Sequence, residues 1–166
     1  STGTLLWTAP YSTNPGRTTD LARDSLGFID ASSFMINTTP SSFTQFGLQK
    51  FNPDTGALIW DRRVGTFADR LRFKRTTNVV IDSTDRIYLI GNINLGADYF
   101  NVQTVFITTY DTAGTELGIA VVQPRGRWTW AISAIVDSED NLIIAGSTGD
   151  TNPLQDYECG IVTKYD

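Results

Sequence analysis

Short apolar runs rich in valine and isoleucine alternate with compact polar turns along this chain, a pattern that reads as strands throughout. The clearest case is Thr76 to Asp82 followed by Ile87 to Asn92, with the polar stretch Asp82-Ser83-Thr84-Asp85-Arg86 between them. Ile132 to Asp137, Asp137-Ser138-Glu139-Asp140-Asn141 and Leu142 to Ser147 copy it. Val105 to Tyr110 and Thr115 to Val122 form a second kind of hairpin around Asp111-Thr112-Ala113-Gly114, where glycine supplies the positive φ of the turn. The predicted strands are Thr76–Asp82, Arg86–Ile93, Thr104–Asp111 and Thr115–Val122, repeated at Ala131–Asp137, Leu142–Ser147 and Gly160–Tyr165. The first third is less regular: Asp24-Ser25-Leu26-Gly27 stands at the turn position, yet Thr18 to Leu26 also reads as a short helix.

Three phrases recur in step. Ser1 to Trp7 (STGTLLW) returns as Asp54 to Trp60 (DTGALIW) and more loosely as Thr112 to Gly118 (TAGTELG), which places Gly3, Gly56 and Gly114 in register. Val80 to Asn92 matches Val136 to Ser147, and LQKFN, ITTYD and VTKYD close the three units. The repeats run approximately 1–52, 53–111 and 112–166 in a single region. Four antiparallel strands at a period of this size are the sequence form of a β-propeller blade. Reading Lys164-Tyr165-Asp166 into Ser1-Thr2-Gly3-Thr4 recreates the internal junction Tyr110 to Thr115. The strand Thr4–Trp7 is therefore expected beside Ile161–Tyr165, of its own or another copy.

Composition narrows the function. Hydrophobic residues at 40% and charged residues at 19% suit a globular domain, and no apolar run is long enough to span a membrane. A net charge of −5 argues against a nucleic-acid binder. Histidine is absent, which removes the commonest general base and metal ligand. Cys159 is the only cysteine, so neither an internal disulfide nor a thiolate cluster can form. No cofactor is implied. Abundant threonine, serine, asparagine and glycine with scarce lysine, and the sequon Asn37-Thr38-Thr39, give an extracellular or cell-surface texture.

The phrase Val136 to Gly146 (VDSEDNLIIAG), followed by Ile161 to Asp166 (IVTKYD), resembles the bacterial and archaeal SBBP β-propeller repeat. The resemblance covers nearly the whole chain and is clearest in the second and third repeats. Asp85 and Asp140 depart from it where a turn glycine is expected, and Gly118 stands in place of tryptophan. Asp54 to Trp60 is also similar to the tryptophan-docking motif of pyrroloquinoline quinone propellers. Both resemblances imply a propeller.

The candidate chemistry is sparse. Trp7 and Trp60, each four residues after a turn glycine, either pack between neighbouring blades or offer indole faces to sugars. Arg70 aligns with Arg125 and Arg72 with Arg127; with Lys74, Arg75 and Trp128 they could line one rim and bind an anionic ligand, or simply solvate a loop. The turn carboxylates Asp82, Asp85, Asp137, Glu139 and Asp140 lack the pattern of a calcium loop and read as turn formers. No serine has a histidine to activate it.

The sequence therefore points to three four-stranded blades, half of a six-bladed ring or part of a larger propeller. The leading expectation is a non-enzymatic extracellular module that contacts protein partners, or other copies of itself, through its end blades. One alternative is a glycan-binding lectin, with Trp60, Trp128 or Tyr157 stacking and Arg70 or Arg125 bonding hydroxyls. Another is a fragment of a quinoprotein-like enzyme.

Overall fold

The computed structural model describes residues 3–9, 16–36, 44–64, 71–95, 102–122, 128–149 and 159–166. Within them the chain is all-β and builds propeller blades, each an antiparallel meander. Blade 1 is β1 (Gly16–Arg23), β2 (Ile29–Ile36), β3 (Thr44–Phe51) and β4 (Leu58–Val64). Blade 2 is β5 (Leu71–Ile81), β6 (Ile87–Leu95), β7 (Val102–Tyr110) and β8 (Glu116–Val122). Blade 3 is β9 (Trp128–Val136), β10 (Leu142–Gly149) and β11 (Cys159–Tyr165). The first strands β1, β5 and β9 touch one another in sequence. One parallel bridge, Gln103 to Trp128, ties β7 to β9.

The strands expected in repeats two and three are present, with β5 and β9 starting earlier than predicted, at Leu71 and Trp128. One expectation is corrected. The stretch Thr18 to Leu26 is not a helix: β1 pairs with β2 from Gly16 opposite Met35 to Arg23 opposite Ile29, and Asp24 folds the following turn. Pairing of the backbone with β2 overrides a local preference for helix. The third blade has three strands rather than four among the described residues. Residues 3–9, which carry the strand Thr4–Trp7 expected beside Ile161–Tyr165 of its own or another copy, form no ladder within the chain, and among the described residues β11 pairs with β10 alone.

Blade 2 shows why its strands read as continuous apolar runs. Successive side chains of a strand point to opposite faces, and in β6 and β7 both faces are covered, while the outer strand β8 is exposed. Ile87, Leu89 and Ile93 of β6, with Phe106 and Tyr110 of β7, pack against Phe46, Leu48, Trp60 and Val64 of blade 1. The intervening residues Tyr88, Ile90, Val105 and Ile107 pack against Ala131, Ala134, Leu142 and Ile144 of blade 3. Among the described residues, blade 3 has a neighbour on one face only. On the other, Ile132, Ile135 and Val162 are 62%, 57% and 71% exposed.

Candidate functional site: the turn end of the blades and the open edge

The first turn of each blade opens with an aspartate that accepts the backbone N–H four residues on, and in blades 2 and 3 also the one two residues on, which closes the turn. Asp82 Oδ1 takes the N–H of Thr84 and of Arg86, both at 2.9 Å, and Asp137 Oδ1 takes those of Glu139 at 2.9 Å and Asn141 at 3.0 Å. Asp24 Oδ1 accepts from Phe28 at 2.8 Å. The fourth turn position lies at positive φ in all three: Gly27 at 93°, Asp85 at 63° and Asp140 at 65°. Aspartate tolerates this region better than most residues.

Those two aspartates also join the blades. Ser25 of blade 1 donates its N–H to Asp85 Oδ1 at 2.8 Å and its hydroxyl to Oδ2 at 2.5 Å. Ser83 of blade 2 does the same to Asp140, at 2.9 and 2.6 Å. The serine hydroxyl first, and then its N–H, hold each carboxyl below its ordinary range. Sequence reasoning saw only turn formers here; the missed signal is a serine and an aspartate recurring together at blade period.

The phrase that ends each repeat has a physical role as well. Lys50 reaches from β3 to Asp24 at 2.7 Å and Asp30 at 3.4 Å, with Phe28 and Trp60 rings 5.5 and 5.9 Å from its ammonium. One cation thus serves two buried carboxylates, and desolvation pushes Asp30 up to about 6 against the pull of Lys50. In blade 3, Lys164 meets Asp137 at 2.7 Å on the surface and holds that carboxyl well below its ordinary range. Thr109 stands at this place in blade 2, where Asp82 is met by the Tyr88 hydroxyl at 3.2 Å instead.

The tryptophans dock on glycine turns. Trp60, 9% exposed, donates its indole N–H to the Thr112 carbonyl at 3.1 Å. A Cβ on Gly114 would lie 3.0 Å from its ring. Trp7, half-buried, donates to the Pro53 carbonyl at 2.8 Å, and a Cβ on Gly56 would lie 2.6 Å from its ring. Gly56 and Gly114 have positive φ, 69° and 77° respectively. A Cβ on Gly3 meets nothing within 4 Å. Arg62 reinforces the Trp60 contact, donating to the Gly114 carbonyl at 2.7 Å.

Of the expected basic rim, only the backbones of Arg72 and Trp128 are described, at the ends of β5 and β9 away from these turns. Arg70, Arg125 and Arg127 lie outside the described residues, as do Asn37 and Tyr157. The backbone of Arg72 stands in β5 opposite Asn94, and that of Trp128 opens β9 opposite Gly149. No group of three or more acidic, histidine or cysteine side chains that could hold a metal occurs among the described residues. No helix among them is long and apolar enough to cross a membrane.

Three successive meanders, packed face to face and tied turn to turn, define a run of β-propeller blades. No protein-family model and no curated protein matches the chain. Among solved structures it is similar to the Hadza microbial sialidase Hz136, with a TM-score of 0.70 at 12% identity. The likeness covers 91% of this chain and 35% of that one, so the chain spans about a third of the sialidase's length. At that identity the likeness speaks to the fold alone.

Proposed function

We propose that this chain is a non-enzymatic β-propeller module, working outside the cell or on its surface, that assembles with protein partners through its end blades. The observation that carries this reading is the outward face of blade 3. Ile132, Ile135 and Val162 lie exposed there beside an open ladder edge, whereas β6 and β7 of blade 2 are covered on both faces by neighbouring blades and only its outer strand β8 stays exposed. A contiguous exposed apolar face is a mark of an interaction site.

Sedimentation velocity over a concentration series tests it. The expected result is reversible association of the native chain that the double substitution Ile132→Lys with Ile135→Lys abolishes. A native chain that stays monomeric throughout, or that turns over a sialoside, overturns the reading. A second reading, glycan binding by pockets between blades, draws support from the sialidase fold neighbour. A glycan array separates the two, since a lectin gives binding that one free sugar competes away.

A further inference from the structure

We infer that the segment Thr4–Trp7 of one copy completes the third blade of a second copy, adding a fourth strand to the open edge of β11. This rests on the reading of the chain as an assembly module and names the partner and the site.

The placement of Trp7 is the first argument. Trp60 reaches the glycine turn of blade 2 from β4, the outer strand of the preceding blade. Trp7 sits on the glycine turn of blade 1 with the same indole N–H to carbonyl bond and the same ring against glycine. It therefore holds the place of an outer strand belonging to a blade ahead of blade 1. Yet residues 3–9 form no ladder, and Leu5 and Leu6 are 79% and 85% exposed. Their counterparts in β4, Leu58 and Ile59, are 50% and 47% exposed.

The matching vacancy in the pattern is on blade 3. Its edge strand β11 pairs on one side only among the described residues, and Val162 stands out at 71% exposure. An edge of this kind presents unpaired N–H and C=O groups, and an extended segment added to it gains main-chain hydrogen bonds. Lysine on an edge normally discourages pairing, but Lys164 is engaged by Asp137 and Glu139. The register follows from the other blades. Leu58 faces Phe51, Trp60 faces Lys50 and Asp61 faces Gln49. Glu116 and Gly118 likewise face Tyr110 and Thr109. Transferred to the open edge, Leu5 faces Tyr165, Trp7 faces Lys164 and Thr8 faces Thr163.

Within the described chain this segment and that edge stand apart. Trp7 anchors the segment on blade 1, and blade 2 stands between blade 1 and blade 3, packed by one on each face. A contact of one copy's front with another's back is head-to-tail, and it closes into a ring or runs on as a filament.

The test uses the full chain with the exposed Cys159 replaced, Cys159→Ser. Under mild oxidation, Thr8→Cys with Thr163→Cys is expected to give covalent dimers and higher multiples of 18.3 kDa. The out-of-register pair Thr8→Cys with Ile161→Cys is expected to give none. Without added cysteines, Leu5→Pro with Leu6→Pro removes two adjacent backbone donors from a segment that pairs with nothing in the monomer. It should weaken association at least about tenfold while the circular dichroism spectrum stays native. Association that persists unchanged in the proline variant overturns the inference and leaves the module reading standing. A cross-link formed within a single chain overturns it too. A native chain that never associates removes the module reading itself.

Discussion

Replacing Trp60 with alanine probes the packing that joins blades 1 and 2. The indole is 9% exposed and lies in the cluster with Phe46, Leu48, Val79 and Phe106. A tryptophan buries about 150–250 Å², which at about 25 cal/mol per Å² amounts to roughly 4–6 kcal/mol. That is an upper bound, because the unfolded chain already hides part of its apolar surface. Truncations of large buried aromatics cost about 3–5 kcal/mol. The lost indole bond adds little, since the turn residue Thr112 is exposed and water can replace the donor. The expected loss is therefore about 4 kcal/mol, a large share of the 5–15 kcal/mol typical of a folded domain. Urea unfolding followed by far-ultraviolet circular dichroism measures it without depending on the indole removed. The midpoint should fall at unchanged slope. The half-buried Trp7 gives the internal control, because its segment belongs to no sheet. Trp7→Ala should cost no more than about 1 kcal/mol in the monomer. A loss below about 1 kcal/mol for Trp60→Ala, or equal losses for the two, would refute the reasoning.

Other perturbations separate paired groups in the same way. Lys50→Met strands two buried carboxylates and should cost about 3–5 kcal/mol. Lys164→Met, at a half-exposed side chain, should be hard to distinguish from the native chain in the same urea titration. Gly114→Ala forces a Cβ to positive φ and to 3.0 Å from the Trp60 ring; about 1–2 kcal/mol of loss with a red-shifted indole emission is expected, and native emission would contradict the docking. The pH dependence has two opposed arms. The carboxyls of Asp85 and Asp140 are depressed by their serine partners, so their stabilisation is full above the unfolded value of about 3.9 and disappears as pH falls through their lower folded values. Asp30 is raised to about 6, so its contribution is greatest below about 4 and is lost as pH rises toward 6. Thermal melting across pH should show Asp140→Asn flattening the acid arm and Asp30→Asn flattening the arm between pH 4 and 6; unchanged profiles would contradict both assignments.

The strands of repeats two and three were legible because turn chemistry and apolar runs agree there. Asp82 and Asp137 close their turns with the same carboxylate oxygen, and the strands that follow are valine- and isoleucine-rich. Repeat one was harder. Leu21, Ala22 and Leu26 favour helix, and two of them stay exposed even in the folded chain, so no burial pattern marks the strand. The joints between blades were not legible because they depend on which turn lies beside which. Nothing local in Ser25 tells that its partner is Asp85, sixty residues on. Likewise Asn92 reads as an ordinary strand residue, although it donates to the Ala131 carbonyl at 3.1 Å and accepts the Ala131 N–H at 2.8 Å.

These joints differ although the repeat is the same. Blades 1 and 2 are held by an indole on a glycine turn, by Ser25 on Asp85, and by Asp20 accepting from Asn78 at 3.2 Å and Val79 at 3.1 Å. Blades 2 and 3 have Gly118 where Trp60 would stand, and they use the buried amide of Asn92 with the Ser83–Asp140 pair. At the outer ends the pattern breaks in another way. Ser138 repeats the serine donor on blade 3, but blade 1 carries Gly27 where the aspartate acceptor stands in the other two. A contact between the back of one copy and the front of another therefore lacks the serine–aspartate bond present at both internal joints. What remains for it is Trp7, the strand edge and the apolar face of blade 3. If copies join as proposed, such a contact is weaker than the joints inside the chain, so copies are expected to part before blades do, and association should respond to concentration while each chain stays folded.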